Sequence, residues 1–160
     1  MRRKDREIRD RAGLEAIFER ADACRLAFAA GGEPYIVALN FGYERAGAAS
    51  GDLPVLYFHC AREGRKLDLM RKAPRVCFEL DTDHELVTGP APCDWGMKYA
   101  SIVGYGILRE LQDSAERQAA LKAIMRKYGW KGEGSFKDSV LGTTTVLELR
   151  VTELTGKRKA

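Results

Sequence analysis

Three residues, His59, Arg65 and Lys66, make the most chemically suggestive cluster in the chain. They lie in Leu53-Pro-Val-Leu-Tyr-Phe-His-Cys-Ala-Arg-Glu-Gly-Arg-Lys-Leu-Asp-Leu-Met70. This stretch reads as an apolar strand ending at a histidine, a small-residue turn, and a helix whose first turn carries two cations. A strand end, free backbone N–H groups and a helix N-terminus together can seat a phosphate. Histidine titrates near neutral pH, so His59 could hydrogen-bond a ligand or pass a proton to a substrate. A half-buried histidine satisfied by its own fold would leave the same pattern. Cys60 follows His59, but adjacent strand residues face opposite ways, which argues against a nucleophile–base pair. His84, the only other histidine, stands in the charged stretch 81–85 and reads as a surface residue.

Two further places could meet a ligand. Asn40 is a polar residue between Leu39 and Phe41 in an apolar run. A buried amide needs partners, which a flat heterocycle or a backbone group could supply. Trp95 and Tyr99, four apart with Lys98 beside them, could cover a planar ligand or serve as interface or core anchors. The sequence contains no Gly-x-Gly-x-x-Gly after a strand, no Walker loop and no Gly-x-Ser-x-Gly elbow. Classical dinucleotide, nucleoside triphosphate and serine-hydrolase sites therefore have no support.

The elements that must hold these residues follow from patterning. Asp10 can cap a helix carrying Leu14, Ile17, Phe18 and Ala21 at helical spacing. Residues 24–29 and 34–43 read as an antiparallel strand pair, followed by a loose polar loop over 44–52. A strand to His59, a helix over 63–72 and a strand over 75–80 come next. Residues 81–92 look partly like loop. The stretch 97–111 is the longest strand, and Gly104 and Gly106 on one face of it suggest a bend or a surface left bare for a close neighbour. Asp113 or Ser114 caps a helix over 115–128 whose core face carries Leu121, Ile124, Met125 and Tyr128. A glycine-rich loop over 129–138 leads to a closing strand over 143–154. About six strands and three helices without βαβ alternation point to a small antiparallel barrel with flanking helices, not a doubly wound sheet.

A chain of 160 residues, 45% apolar and 31% charged, reads as one globular domain over 1–160. No run suits a membrane helix and no apolar segment follows the basic start, so neither membrane nor secretory signal is expected. The four cysteines are scattered singly. That fits reduced thiols in a cytoplasmic protein, with no metal site. The net charge of +4 is concentrated in basic tails over about 1–9 and 156–160. Without interleaved aromatics these read as solvated termini, not as a nucleic-acid surface.

Several pieces, taken in order, carry a family resemblance. They are the opening Met1-Arg-Arg-Lys-Asp-Arg-Glu-Ile8, Pro34-Tyr-Ile-Val-Ala-Leu-Asn-Phe-Gly-Tyr43, and Tyr57-Phe-His-Cys-Ala61 with Gly64-Arg-Lys-Leu-Asp68. Pro74-Arg-Val-Cys-Phe-Glu79, His84-Glu-Leu86, Cys93-Asp-Trp95 with Tyr99, Ser101-Ile-Val-Gly-Tyr-Gly106 and Thr155-Gly-Lys-Arg158 follow. The chain resembles the NimA-like (5-nitroimidazole resistance, nitroreductase-like) proteins of the pyridoxamine 5′-phosphate oxidase-related, FMN-binding split-barrel group. The resemblance implies a mainly β fold with flanking helices, a six-stranded antiparallel split β-barrel that forms a homodimer with FMN at the subunit interface.

Carried over by position, Leu39, Asn40 and Phe41 would line the flavin ring. His59, Cys60 and Ala61 would follow the ribityl chain or ring edge, and Arg65 and Lys66 would hold the phosphate. Trp95, Tyr99 and Ser101 would approach from the partner subunit or the substrate side, and a dimer would bury the bare Gly104/Gly106 face. The implied function is a flavin-dependent oxidoreductase acting on a small electron-poor molecule such as a nitro-heterocycle, with His59 as the catalytic candidate. A pyridoxamine 5′-phosphate oxidase-like enzyme is the nearest enzymatic alternative. A non-enzymatic flavin or haem binder, with His59 or His84 as axial ligand, is the alternative of another class.

Overall fold

Residues 2–45 and 52–159 are described by the structure, a computed structural model. Most of the polar loop expected over 44–52 lies outside the described residues. Eight strands form one antiparallel sheet. They are β1 (Glu7–Ile8), β2 (Cys24–Phe28), β3 (Tyr35–Leu39), β4 (Gly42–Glu44), β5 (Val55–Ala61), β6 (Arg75–Val87), β7 (Gly96–Glu110) and β8 (Thr144–Lys159). Among the described residues four α-helices flank it: α1 (Arg11–Arg20), α2 (Arg65–Lys72), α3 (Ser114–Lys127) and α4 (Asp138–Thr143).

The sheet order is β3-β2-β6-β7-β8-β5-β4, with β1 added to β8. Its two end strands, β3 and β4, are consecutive in the chain and separated only by Asn40 and Phe41. The run expected as one strand over 34–43 is thus two strands. The first half pairs with β2 and the second with β5. This break and the short β1 account for eight strands where six were expected.

Each element obeys local rules. Asp10 caps α1 by accepting the Gly13 N–H at 2.7 Å. Asp113 caps α3 by accepting the Ala115 and Glu116 N–H groups at 2.9 Å. Both are N-cap geometries favoured by a short carboxylate. Gly64 precedes α2 at φ +134°, a backbone region essentially restricted to glycine. Leu67, Leu69 and Met70 bury the inner side of α2, as the apolar spacing predicts.

Several expectations need correction. Residues 81–87 continue β6 instead of looping out. The terminal segments expected as solvated tails are partly folded, since Glu7 and Ile8 pair with Lys157 and Gly156. On α3 the buried side is Ala120, Leu121 and Ile124, while Met125 and Tyr128 are exposed. Gly104 and Gly106 face inward. A Cβ on Gly104 would sit 2.5 Å from the Phe78 ring, and one on Gly106 would sit 2.5 Å from the Arg150 carbonyl oxygen. They let β7 pack closely within its own chain and leave no bare surface. The outward residues of that strand are Val103, Tyr105 and Ile107, all exposed.

The core lies between the inner sheet face, α1 and α2, centred on Phe28, Phe41, Phe58, Phe78, Leu80 and Ile102. A second cluster beneath α3 and α4 joins Tyr57, Leu111, Leu121, Ile124, Leu141 and Val146.

Candidate functional site

Breaking the strand at Asn40–Phe41 creates an open sheet edge. β4 pairs with β5 only at Val55, Leu56 and Tyr57. Beyond that point, among the described residues, Phe58, His59, Cys60 and Ala61 pair with β8 alone. Their other side lies past the start of β4, where the chain crosses from β3 to β4. Alternation along β5 buries Phe58 and exposes His59, while Cys60 is half-buried. His59 and Cys60 therefore diverge, in keeping with the argument against a catalytic pair. Burial pushes the Cys60 thiol up, and the nearby Lys66 ammonium opposes this. A raised thiol is a poor nucleophile near neutral pH.

The turn after β5 leads straight into α2. No side chain caps this helix, and its first internal bonds are Leu67 N–H and Asp68 N–H to the Gly64 carbonyl. The backbone N–H groups of Arg65 and Lys66 therefore lie ahead of the helical ladder, where an anion is favoured by about 0.3–1 kcal/mol at an exposed site. The Arg65 guanidinium is bonded to Glu33 at 2.8 Å and lies 4.9 Å from the centre of the Tyr35 ring. It thereby ties α2 to the entry of β3. Lys66 lies on the Cys60 side. This donor set fits the phosphate of a mononucleotide: the two cations Arg65 and Lys66, their backbone N–H groups ahead of the helical ladder, and a strand edge beside them. Glu33 is the group such a phosphate would displace from Arg65.

On the facing segment, Leu39 is half-buried and Asn40 exposed. Phe41 is fully buried in the core, so only its backbone can face a ligand. The Phe41 N–H donates to the Tyr128 hydroxyl at 3.2 Å. Tyr128 and Lys127 are contributors to this region that no local pattern reveals. The partners are 87 residues apart, and Tyr128 reads along its own helix as a core residue. Burial lowers the Lys127 ammonium below its ordinary value.

Trp95, Tyr99 and Ser101 are not brought to this edge within the chain. His59 pairs with Val146 on β8, whereas Tyr99 pairs with Lys159 and Ser101 with Lys157. From Val146 to Lys159 the strand runs through about 40 Å of extended chain. Trp95 is exposed, and its indole N–H donates to the Gly89 carbonyl at 3.0 Å. A hydrogen bond to Lys157 lowers the Tyr99 phenol, with Arg6 adding to it. The Lys157 ammonium lies 5.3 Å from the centre of that ring. His59 and the Tyr99–Ser101 stretch thus lie toward opposite ends of β8.

A separate cleft lies elsewhere. About 780 Å³ is enclosed between α1, β4 and α3, lined by Tyr43, Glu44, Lys122, Ala123, Arg126 and Lys127 among others. None of the expected cofactor residues lines it. Among the described residues, no group of His, Cys, Asp and Glu could hold a metal ion, and no helix is long and apolar enough to cross a membrane. All four cysteines are free thiols.

Comparison with curated proteins finds no match. Among solved structures, the chain is similar to a candidate 5-nitroimidazole antibiotic resistance protein from Bacteroides thetaiotaomicron. The two share 31% identity over 95% of this chain and 86% of that one, with a TM-score of 0.80. The flavocytochrome Anf3 from Azotobacter vinelandii shares the fold at 17% identity, covering 100% of this chain and 72% of that one, with a TM-score of 0.78. An FAD and heme binding protein from Mycobacterium smegmatis does so at 17% identity, covering 96% and 73%, with a TM-score of 0.79. The family model described as pyridoxamine 5′-phosphate oxidase matches residues 10–158. With nearly the whole chain inside that match, the protein belongs to the pyridoxamine 5′-phosphate oxidase-like family.

Proposed function

We propose that this protein binds FMN at the open β5 edge and acts as a flavin-dependent oxidoreductase on a small electron-poor substrate of the nitro-heterocycle kind. One observation carries the reading. Among the described residues, the Asn40–Phe41 break leaves Phe58–Ala61 paired on the β8 side alone, beside a helix start that is cationic and has no side-chain cap. The family and the 31%-identical resistance protein support it. The continuity of β3 into β4 at opposite ends of the sheet path supports a split barrel closed through Asn40 and Phe41. In that reading the six long segments make the barrel and β1 is an addition.

Bound FMN would supply the redox chemistry, drawing on an external reductant. The chain's own residues would bind and orient it. Lys66, Arg65 and the first N–H groups of α2 would hold the phosphate. The backbone of Leu39–Phe41 and of His59–Ala61 would flank the ring, with the Asn40 amide available to its polar edge. His59, solvent-facing at the end of β5, would orient or protonate the substrate.

We further propose a homodimer, because one chain leaves Tyr99 and Ser101 at the other end of β8 from His59. The surface for a second copy is the outer sheet face. Ile36, Ala27, Cys77 and Tyr105 form one cross-strand row there, beside Val103 and Ile107. The flanking charges occur as internal pairs, Arg25 with Glu79 at 2.9 Å and Arg75 with Glu153 at 2.7 Å. Such a face can meet its own copy without like-charge conflict.

The test is an absorption spectrum of the purified protein, alone and after adding FMN or FAD. Flavin bands that stay with the protein through gel filtration are expected, and FMN should bind more tightly than FAD. Protein that remains colourless with both removes the reading. A Soret band on haem titration that is lost in His59→Ala, without flavin retention, would replace it with the haem-binding alternative.

A further inference from the structure

The inference here rests on the flavin reading and concerns residues outside the cofactor edge. We infer that Lys127 and Tyr128, at the end of α3, are positioning residues that hold the Asn40–Phe41 break in the shape the cofactor edge requires. A chain that leaves β2 and joins β5 within two residues must interrupt its ladder, which orphans a backbone donor. The orphan is the N–H of Phe41, whose ring is fully buried. A buried N–H without a partner is costly.

The Tyr128 hydroxyl meets that need. It accepts from Phe41 N–H at 3.2 Å and donates its own proton to the Asp22 carbonyl at 2.6 Å. One hydroxyl thus serves as acceptor to the break and donor to the end of α1. Lys127 does the companion work. Its ammonium donates to the carbonyls of Glu19 and Ala21 at 2.9 and 2.7 Å, and it sits 5.0 Å from the centre of the Phe41 ring. The next residue is held as well, since a Cβ on Gly42 would lie 2.4 Å from the Ile124 nitrogen. Amide, ring and α-carbon at Phe41–Gly42 are therefore fixed by one helix. Neither Lys127 nor Tyr128 belongs to the open edge, so both act through Phe41, Tyr128 on its amide and Lys127 on its ring.

Two full-length variants test this, Tyr128→Phe and Lys127→Met. The first keeps the ring and removes the hydroxyl, and the second keeps the stem and removes the ammonium. FMN affinity is read by flavin fluorescence titration, and flavin geometry by visible circular dichroism. Amide hydrogen exchange at Phe41 is read without flavin. Loss of the Tyr128 bond should weaken FMN binding about tenfold and raise Phe41 exchange by a similar factor. Amides at the centre of β7–β8 should keep their protection. Lys127→Met should move FMN affinity and the dichroism band in the same direction. Wild-type affinity and dichroism in both variants would overturn the inference, even if the melting temperature fell, because the clasp would then serve stability alone. Wild-type protein that binds neither FMN nor FAD overturns the flavin reading itself and this inference with it.

Discussion

Glu148 is a carboxylate held by two guanidinium groups. It lies almost buried on β8, accepts two bonds from Arg109 at 2.7 and 2.8 Å, and takes a third from Arg150 at 2.7 Å. Burial alone would raise its pKa, but the hydrogen bonds from Arg109 and Arg150 prevail and lower it below its ordinary value of 4.5. The linkage has a definite sign. A carboxylate depressed in the folded state stabilises it fully above 4.5, and that contribution is lost as pH falls through the lower folded value. Glu148→Ala should cost roughly 1–3 kcal/mol near neutral pH. The deficit should shrink on acidification. Urea unfolding at several pH values checks this, and a deficit that is constant with pH would refute it. A second residue-scale prediction concerns Asp10, where Asp10→Ala removes the bond to Gly13 N–H and should cost about 1 kcal/mol by thermal melting.

At the scale of elements, the contact between α3 and β4 governs the site. Gly42 permits it, because any Cβ there would overlap the Ala123–Ile124 backbone at 2.4–2.5 Å. Gly42→Ala must push strand and helix apart, at a cost of roughly 1–3 kcal/mol. Flavin affinity should fall with stability in this variant, whereas an Asp10→Ala protein should lose stability alone. Equal flavin affinity in the two variants would show that the α3–β4 seam does not shape the site. Much of the element pattern was legible in the sequence. Asp10 and Asp113 mark their helix starts, and Asn40 stands out as a polar residue where the strand in fact breaks. Tyr128 was misleading. Its spacing matches the core face of α3, but its hydroxyl answers a donor 87 residues away. Gly104 and Gly106 were ambiguous for a related reason, because only the position of Phe78 and β8 decides which face they leave bare.

At the scale of the molecule, one chain holds His59 and the Tyr99–Ser101 stretch toward opposite ends of β8. The proposed dimer predicts a solution mass of twice 17.8 kDa by sedimentation. Val103→Arg, on the outer row and away from the open edge, should yield monomer and also lose flavin. Monomeric wild-type protein that binds FMN tightly would refute this coupling.

The sequence by itself determined a strand that carries His59 (though it runs on to Ala61), the cations opening α2, the helix caps and the mainly β antiparallel pattern, because each rests on spacing within a few residues. It also carried enough motif to place the family. The tertiary structure decided what local spacing cannot encode. It split the strand at Asn40 and assigned its halves to opposite ends of the sheet. It turned the glycine face of β7 inward and folded the basic termini together. It also brought the end of α3 to the Phe41 amide. These outcomes depend on which distant backbone donors and buried surfaces meet, and a partner far along the chain leaves no local trace.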